Sequence, residues 1–272
     1  MYLQFYGLKE LPFGVTCDLQ FFFESSSHKE ALASLIYGIK EKKGLILITG
    51  EVGVGKTILC KALVERLSSS THISLVFNPY FSEIQLLQAI AEDFGLRIKK
   101  RTRLDIINEI NSFLTEINRK GATAVLIIDE AQNLNFRQLE QLRLLSNLET
   151  SKEKLLQIIL VGQPELIDKL NQSNLRQLRQ RIFVKYHLSP LGKEEMKEYI
   201  EFRLKKAGSL FLKFSPQSYD IIYEFSQGIP RLINMICERA LICGFVKERR
   251  ILDEEIFHLS LIHISEPTRL GM

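Results

Sequence analysis

Eight residues, Gly50-Glu51-Val52-Gly53-Val54-Gly55-Lys56-Thr57, restrict this chain more than anything else in it. They fit the pattern GxxxxGK[ST] and stand between a short apolar run, residues 45–49, and a stretch with helical apolar spacing. A strand, a glycine-rich turn and a helix in that order let backbone N–H groups converge on phosphate oxygens at a helix N-terminus. In such a loop Lys56 reaches the β- and γ-phosphates of a nucleotide and the Thr57 hydroxyl ligates magnesium. Gly50 through Thr57, with Ile58 directly behind them, are therefore expected to form the binding segment for ATP and Mg2+.

A second motif completes the chemistry. Val125-Leu126-Ile127-Ile128 is an apolar run that ends in Asp129 and Glu130, and a buried strand of this kind delivers its last residues to the carboxyl edge of the sheet, where ligands bind. Asp129 is expected to hold magnesium together with Thr57, and Glu130 to polarise the attacking water.

Glu130 also argues against a GTPase or a small-metabolite kinase, and three further segments point the same way. The apolar run 157–161 ends in Gly162-Gln163-Pro164, which puts the polar Gln163 beside the γ-phosphate or the water. Arg176, Arg179 and Arg181 lie on a segment expected to be a helix running into the last strand. Spacings of three and two cannot place all three on one face. An arginine supplied to a neighbour's γ-phosphate stabilises the transition-state charge, and Arg181 is the first candidate with Arg179 the second. Finally, Gly228-Ile229-Pro230-Arg231 opens a helix with a cation in its first turn, against the dipole preference, so Arg231 is expected to report on the nucleotide.

Apolar runs at 45–49, 73–77, 124–128, 157–161 and 183–188 alternate with helical patterns such as 28–42, 84–94 and 104–119. Five strands with helical crossovers predict a parallel sheet covered on both faces. After Pro190 the strand signals stop, and helices are predicted at 193–207, 216–227 and 230–247, with Ser215 as N-cap and Pro216 at the first helical position. The expected fold is α/β, a P-loop nucleotide-binding domain over 1–190 followed by a small all-helical lid domain over 191–258, hinged at 189–192. A chain of 272 residues, 46% apolar, has room for one large core and one small one.

Charge does not choose a partner: 36 basic residues against 32 acidic leave +4, short of the excess of a dedicated nucleic-acid binder. The basic cluster 97–103 has no interleaved aromatics and reads as a solvated loop. Four cysteines without a CxxC pair, no signal peptide and no run of about 18 apolar residues describe a reduced, cytoplasmic chain.

Taken in order, these residues resemble the AAA+ superfamily, with Walker A at 50–57, Walker B at 125–130, sensor 1 at Gln163, an arginine finger near Arg181 and sensor 2 at Arg231. More narrowly, the chain is similar to the ExeA-type (general secretion pathway protein A) ATPases from Tyr6 to about Phe257. The segments that carry this are Phe5-Tyr6-Gly7-Leu8 with Pro12-Phe13, His28-Lys29-Glu30-Ala31-Leu32 with Tyr37-Gly38-Ile39, Thr49-Gly50-Glu51-Val52-Gly53, Asp129-Glu130-Ala131-Gln132 with Leu134, Gly162-Gln163-Pro164-Glu165-Leu166 and Gly228-Ile229-Pro230-Arg231.

The resemblance implies an ATP hydrolase working as a ring or partial ring of identical subunits on a protein partner in bacterial envelope assembly, whether secretion, pilus or exopolysaccharide export. It implies that adenine lies between the leader at 13–23 and the small domain. It also implies a membrane span and a periplasmic part beyond the present C-terminus, the route by which the native protein would be anchored in the inner membrane. One departure is the leader turn, Thr16-Cys17-Asp18-Leu19 in place of a TPDP-like sequence. Relatives serving transposition keep open an alternative, a DNA-associated ATPase. Residues 259–269 are similar to the conceptual translation of a sequencing-library adapter, so 259–272 are expected to be a non-native tail.

Overall fold

The structure, a computed structural model, describes residues 1–77, 79, 81–98, 102–209 and 212–265, with side chains as far as Leu261. Along the chain come α1 (Tyr2–Tyr6), α2 (Ser26–Lys40), β1 (Leu45–Gly50), α3 (Lys56–Arg66), β2 (Thr71–Val76), α4 (Glu83–Asp93), α5 (Arg103–Arg119) and β3 (Thr123–Ile128). These are followed by α6 (Phe136–Leu145), β4 (Leu156–Gly162), α7 (Glu165–Leu170), α8 (Arg176–Arg179) and β5 (Ile182–Leu188). The remainder holds α9 (Lys193–Lys206), β6 (Lys213–Phe214), α10 (Pro216–Ser226), α11 (Pro230–Val246), β7 (Ile251–Leu252) and α12 (Glu254–Ser265). No described helix is long and apolar enough to cross a membrane.

Contacts divide the chain into two compact units, residues 26–52 with 59–188, and residues 1–25 with 53–58 and 189–272. In the first, all five strands are parallel in the order β2-β3-β4-β1-β5. Such a sheet must be buried on both faces, and the strands show it: every residue of β1 and β4 is buried. Alternate residues Leu45, Leu47, Leu126, Ile128, Ile158 and Leu160 join one core with α4, α5 and α6. The opposite set, among them Ile46, Ile48, Ile127 and Val161, is as fully buried. Here Gly38 of α2 meets the sheet so closely that a Cβ would stand 2.5 Å from Ile46 Cδ1.

The second unit has its own core, in which Tyr6, Phe13 and Phe21 of the leader pack with Met196, Ile200 and Ile236. The predicted division assigned the leader and the whole P-loop to the nucleotide domain; by contacts, 1–25 and 53–58 go with the helical unit. The reason is the apolar content of the leader, which finds its complement on α9 and α11 rather than on the sheet. Nor is this unit all-helical. The two-residue strands β6 and β7 pair in parallel, Lys213 with Ile251 and Phe214 with Leu252, too short to give an alternation in the sequence. Ser215 caps α10 as predicted, its hydroxyl accepting the Ser218 N–H, with Pro216 in the first turn. Helix α12 runs through the predicted tail as far as Ser265, with Ser260 and Leu261 buried.

Candidate functional site

Where the strands end decides which side chains meet. In the sheet β4 lies between β3 and β1, and the register pairs Thr49 with Gly162 and Ile128 with Leu160. In this register β4 and β1 end within one residue of each other and β3 ends two residues short of β4, and the three strands release Glu51, Asp129 and Gln163 at the same carboxyl edge of the unit.

Asp129 is buried, and its N–H donates to the Val76 carbonyl at 2.9 Å, which carries the β2–β3 pairing one residue beyond the strand. Its Oδ1 accepts the Glu130 N–H at 2.9 Å. Glu130 then turns into the left-handed region, φ 52 and ψ 37, a conformation a β-carbon disfavours and that recurs at functional sites. The turn swings its carboxylate toward β4. Glu130 Oε2 accepts the Gln132 Nε2 at 2.5 Å and the Gln163 Nε2 at 3.4 Å. Gln132 closes the circuit by accepting the Gln163 N–H on its Oε1 at 3.1 Å. Lys169 of α7 donates to the carbonyls of Gln132 and Leu134, the latter at 2.8 Å, and so holds the short 3-10 turn, residues 131–133, that carries Gln132.

Glu130 and Gln163, predicted from separate segments, are thus in contact. Gln132 lies within the Asp129–Leu134 segment, and the sequence by itself assigns it no role; a glutamine two positions beyond Glu130 is the signal it offers.

In the other unit the phosphate loop has the backbone its sequence demands. Gly53 has φ +87 and Gly55 φ +102, while Val54 between them is buried as an apolar anchor. Helix α3 starts at Lys56, which is buried, and Thr57 stands in its first turn, half-buried. Arg231, exposed in the first turn of α11, comes against this loop: its N–H donates to the Gly53 carbonyl at 3.2 Å. Gly228, φ +74, is pressed on Leu191, where a Cβ would lie 1.9 Å from the carbonyl oxygen, and Leu191 N–H donates to the Gly228 carbonyl at 2.9 Å. Glycine in Gly228-Ile229-Pro230-Arg231 therefore fixes where α11 begins, and with it Arg231.

The arginine segment differs from expectation. Arg176 and Arg179 span a single turn, α8, and Arg181 lies past it in the link to β5, because a chain entering a strand at Ile182 has no length for a longer helix. Arg176 is exposed; Arg179 is half-buried and donates to Asn171 Oδ1 at 3.0 Å. Arg181 is half-buried beside Glu149, whose carboxyl is held below its usual range first by Lys154 and in smaller part by Arg181.

No group of three or more His, Cys, Asp or Glu side chains able to hold a metal occurs among the described residues. The predicted donors, the Thr57 hydroxyl and the Asp129 carboxylate, are hard oxygens and fit magnesium, which keeps waters and phosphate oxygens for the rest of its octahedron. Of the leader aromatics, Phe13 and Phe21 are buried in the helical core and Phe23 packs edge-on to Tyr199. In the basic cluster, Lys99, Lys100 and Arg101 lie outside the described residues.

Known proteins give a family match and a fold match. A family model described as an AAA domain matches residues 39–170. General secretion pathway protein A of Aeromonas hydrophila is 44% identical over 248 residues, which is 91% of this chain and 45% of that protein. The chain thus spans less than half the length of this curated relative. Among solved structures, the ORC2 protein of Aeropyrum pernix, in ADPNP–ADP complexes, superposes with TM-score 0.67 at 16% identity, covering 89% of this chain and 68% of that one. Cdc6p of Pyrobaculum aerophilum gives TM-score 0.68 at 16% identity over 93% of this chain and 70% of its own. At such identities these neighbours share the fold. The chain thus carries an AAA domain and is a relative of general secretion pathway protein A, the ExeA type of AAA+ protein.

Proposed function

We propose that this chain hydrolyses ATP with magnesium and uses the cycle to assemble or remodel a protein complex of the bacterial envelope. The observation that carries the reading is the contact of Glu130 with Gln163 at the carboxyl edge of the sheet, where β4 stands between β3 and β1. A carboxylate there accepts a proton from water, and an amide beside it hydrogen-bonds that water or the γ-phosphate. Lys56 and the amides of Gly50 through Ile58 bind the phosphates; Thr57 and Asp129 hold magnesium, which supplies charge neutralisation of the phosphates.

Arg231 senses the γ-phosphate from the helical unit, and Arg181, or in second place Arg179, acts on the nucleotide of a neighbouring subunit. A finger acting between subunits requires a head-to-tail interface and hence a ring or partial ring. Support for the envelope role is the 44% identity to a protein named for the general secretion pathway. The work is done on the cytoplasmic side, where ATP is found.

The test is phosphate release from ATP and Mg2+ by the wild type and by Lys56→Ala. Turnover in the first and loss of about 100-fold or more in the second supports the reading. Turnover that rises several-fold with duplex DNA and falls steeply with salt replaces the envelope role with the DNA-associated one.

A further inference from the structure

We infer that Gln132 is a positioning residue for hydrolysis, holding the Glu130 carboxylate and the Gln163 backbone in one register through the two ends of its amide. The inference rests on the ATPase reading above and adds to it a residue that no motif assigned.

Three observations point to Gln132. Its Nε2 donates to Glu130 Oε2 at 2.5 Å while its Oε1 accepts the Gln163 N–H at 3.1 Å, so one planar group measures the distance between the ends of β3 and β4. The turn that carries it is fixed from the other side, where Lys169 donates to the carbonyl of Gln132 and to that of Leu134. Space has been kept for it as well. A Cβ at Gly162 would stand 2.9 Å from Gln132 Oε1, 2.9 Å from Leu166 Cδ2 and 3.3 Å from Gln132 N, so a side chain there would crowd the amide and Leu166 alike. Gly162 does not have a positive φ, and a turn alone does not account for the glycine.

The direction of the bonds assigns the role. Among the described residues both amide donors to Glu130 go to Oε2. Oε1 is then the oxygen presented for the proton. As the water oxygen bonds to the γ-phosphorus, the bond from that phosphorus to the β,γ-bridging oxygen breaks and ADP leaves with the electron pair. The proton lost by the water passes to Glu130 Oε1. Gln132 touches neither nucleotide nor water in this scheme; it keeps a strained, left-handed glutamate from rotating its carboxylate away.

The experiment is a double-mutant cycle on kcat and KM for ATP, with Gln132→Met and Glu130→Gln singly and together, and with ATP affinity measured by a fluorescent analogue. Methionine keeps the length of the side chain and removes both hydrogen bonds. Gln132→Met is expected to lower kcat about 10- to 100-fold with KM and affinity within about twofold of wild type. In the Glu130→Gln background the same change is expected to cost less than about twofold, since there is no carboxylate left to orient. Gly162→Ala, which crowds both the amide and Leu166 from the facing strand, is expected to give the same split with some loss of stability, and guards against a folding defect peculiar to one variant. Equal losses in both backgrounds, or a loss confined to KM, mark a structural role and overturn the inference, as does a wild-type kcat in Gln132→Met. If the wild type itself shows no turnover, the ATPase reading fails and this inference with it.

Discussion

The N–H of Arg231 donates to the carbonyl of Gly53 at 3.2 Å, which ties the first turn of α11 to the middle of the phosphate loop. The approach leaves no room for a side chain: a Cβ on Gly53 would stand 2.7 Å from Arg231 Cβ and 3.2 Å from Ile229 Cγ2. The loop and the helix that carries Arg231 are thus joined through backbone, without needing its guanidinium.

Gly53→Ala consequently meets two penalties, a φ of +87 and the contact with α11. The strain is about 1–3 kcal/mol. The variant is expected to melt lower and to bind an ATP analogue at least about 10-fold more weakly. Arg231→Ala keeps the backbone bond and is expected to melt like the wild type while losing about 10- to 100-fold in kcat. Thermal melting and nucleotide titration on both separate the loop contact from the side chain's own role.

A second prediction concerns the leader. Arg203 is 6% exposed, donates from Nε to the Pro12 carbonyl and from Nη1 to the Tyr199 hydroxyl, and lies 4.9 Å from the centre of the Phe21 ring. It is a buried cation satisfied by a carbonyl, a hydroxyl and two aromatic faces, and it fastens residues 12–21 to α9. Arg203→Met is expected to cost about 2–3 kcal/mol. Limited proteolysis should then release the first 20 or so residues from the variant well before it does so from the wild type.

The helical unit is also expected to be weakened by alkali. Burial pushes the Tyr6 and Tyr219 hydroxyls up to about 12 from an ordinary 10.0. Because the folded state holds these protons more tightly than the unfolded one, their stabilisation is complete below pH 10 and is lost as the pH rises toward 12. Tyr6 donates to the carbonyls of Leu241 and Arg249 at 3.2 and 3.0 Å. Tyr6→Phe is expected to be less stable at pH 8 by about 1–2 kcal/mol and to lose less between pH 10 and 12 than the wild type. Urea denaturation at pH 8, 10 and 11.5 measures both.

Much of this was legible in the sequence because it is periodic or carries a distinctive backbone. The five strands were visible as apolar runs, and the phosphate loop as glycines followed by Lys56 and Thr57, with only the ends shifting: β2 ends at Val76, leaving Phe77 outside, and β4 includes Gly162. Strands of two residues such as β6 and β7 carry no period and were missed. The leader's attachment depends on tertiary complementarity between Phe13, Phe21 and the α9–α11 surface, which no local pattern encodes. Gln132 was missed for another reason: its role comes from a left-handed Glu130 and a bare Gly162 facing it across the sheet edge.

The most direct measurement is ATP turnover per subunit as a function of protein concentration, for the wild type, Glu130→Gln and Arg181→Ala. An ATPase completed by its neighbour's arginine predicts turnover per subunit that rises with concentration and falls by about 100-fold or more in each variant. Turnover independent of concentration, with Arg181→Ala and Arg179→Ala both as active as the wild type, would contradict it and describe a monomeric nucleotide switch.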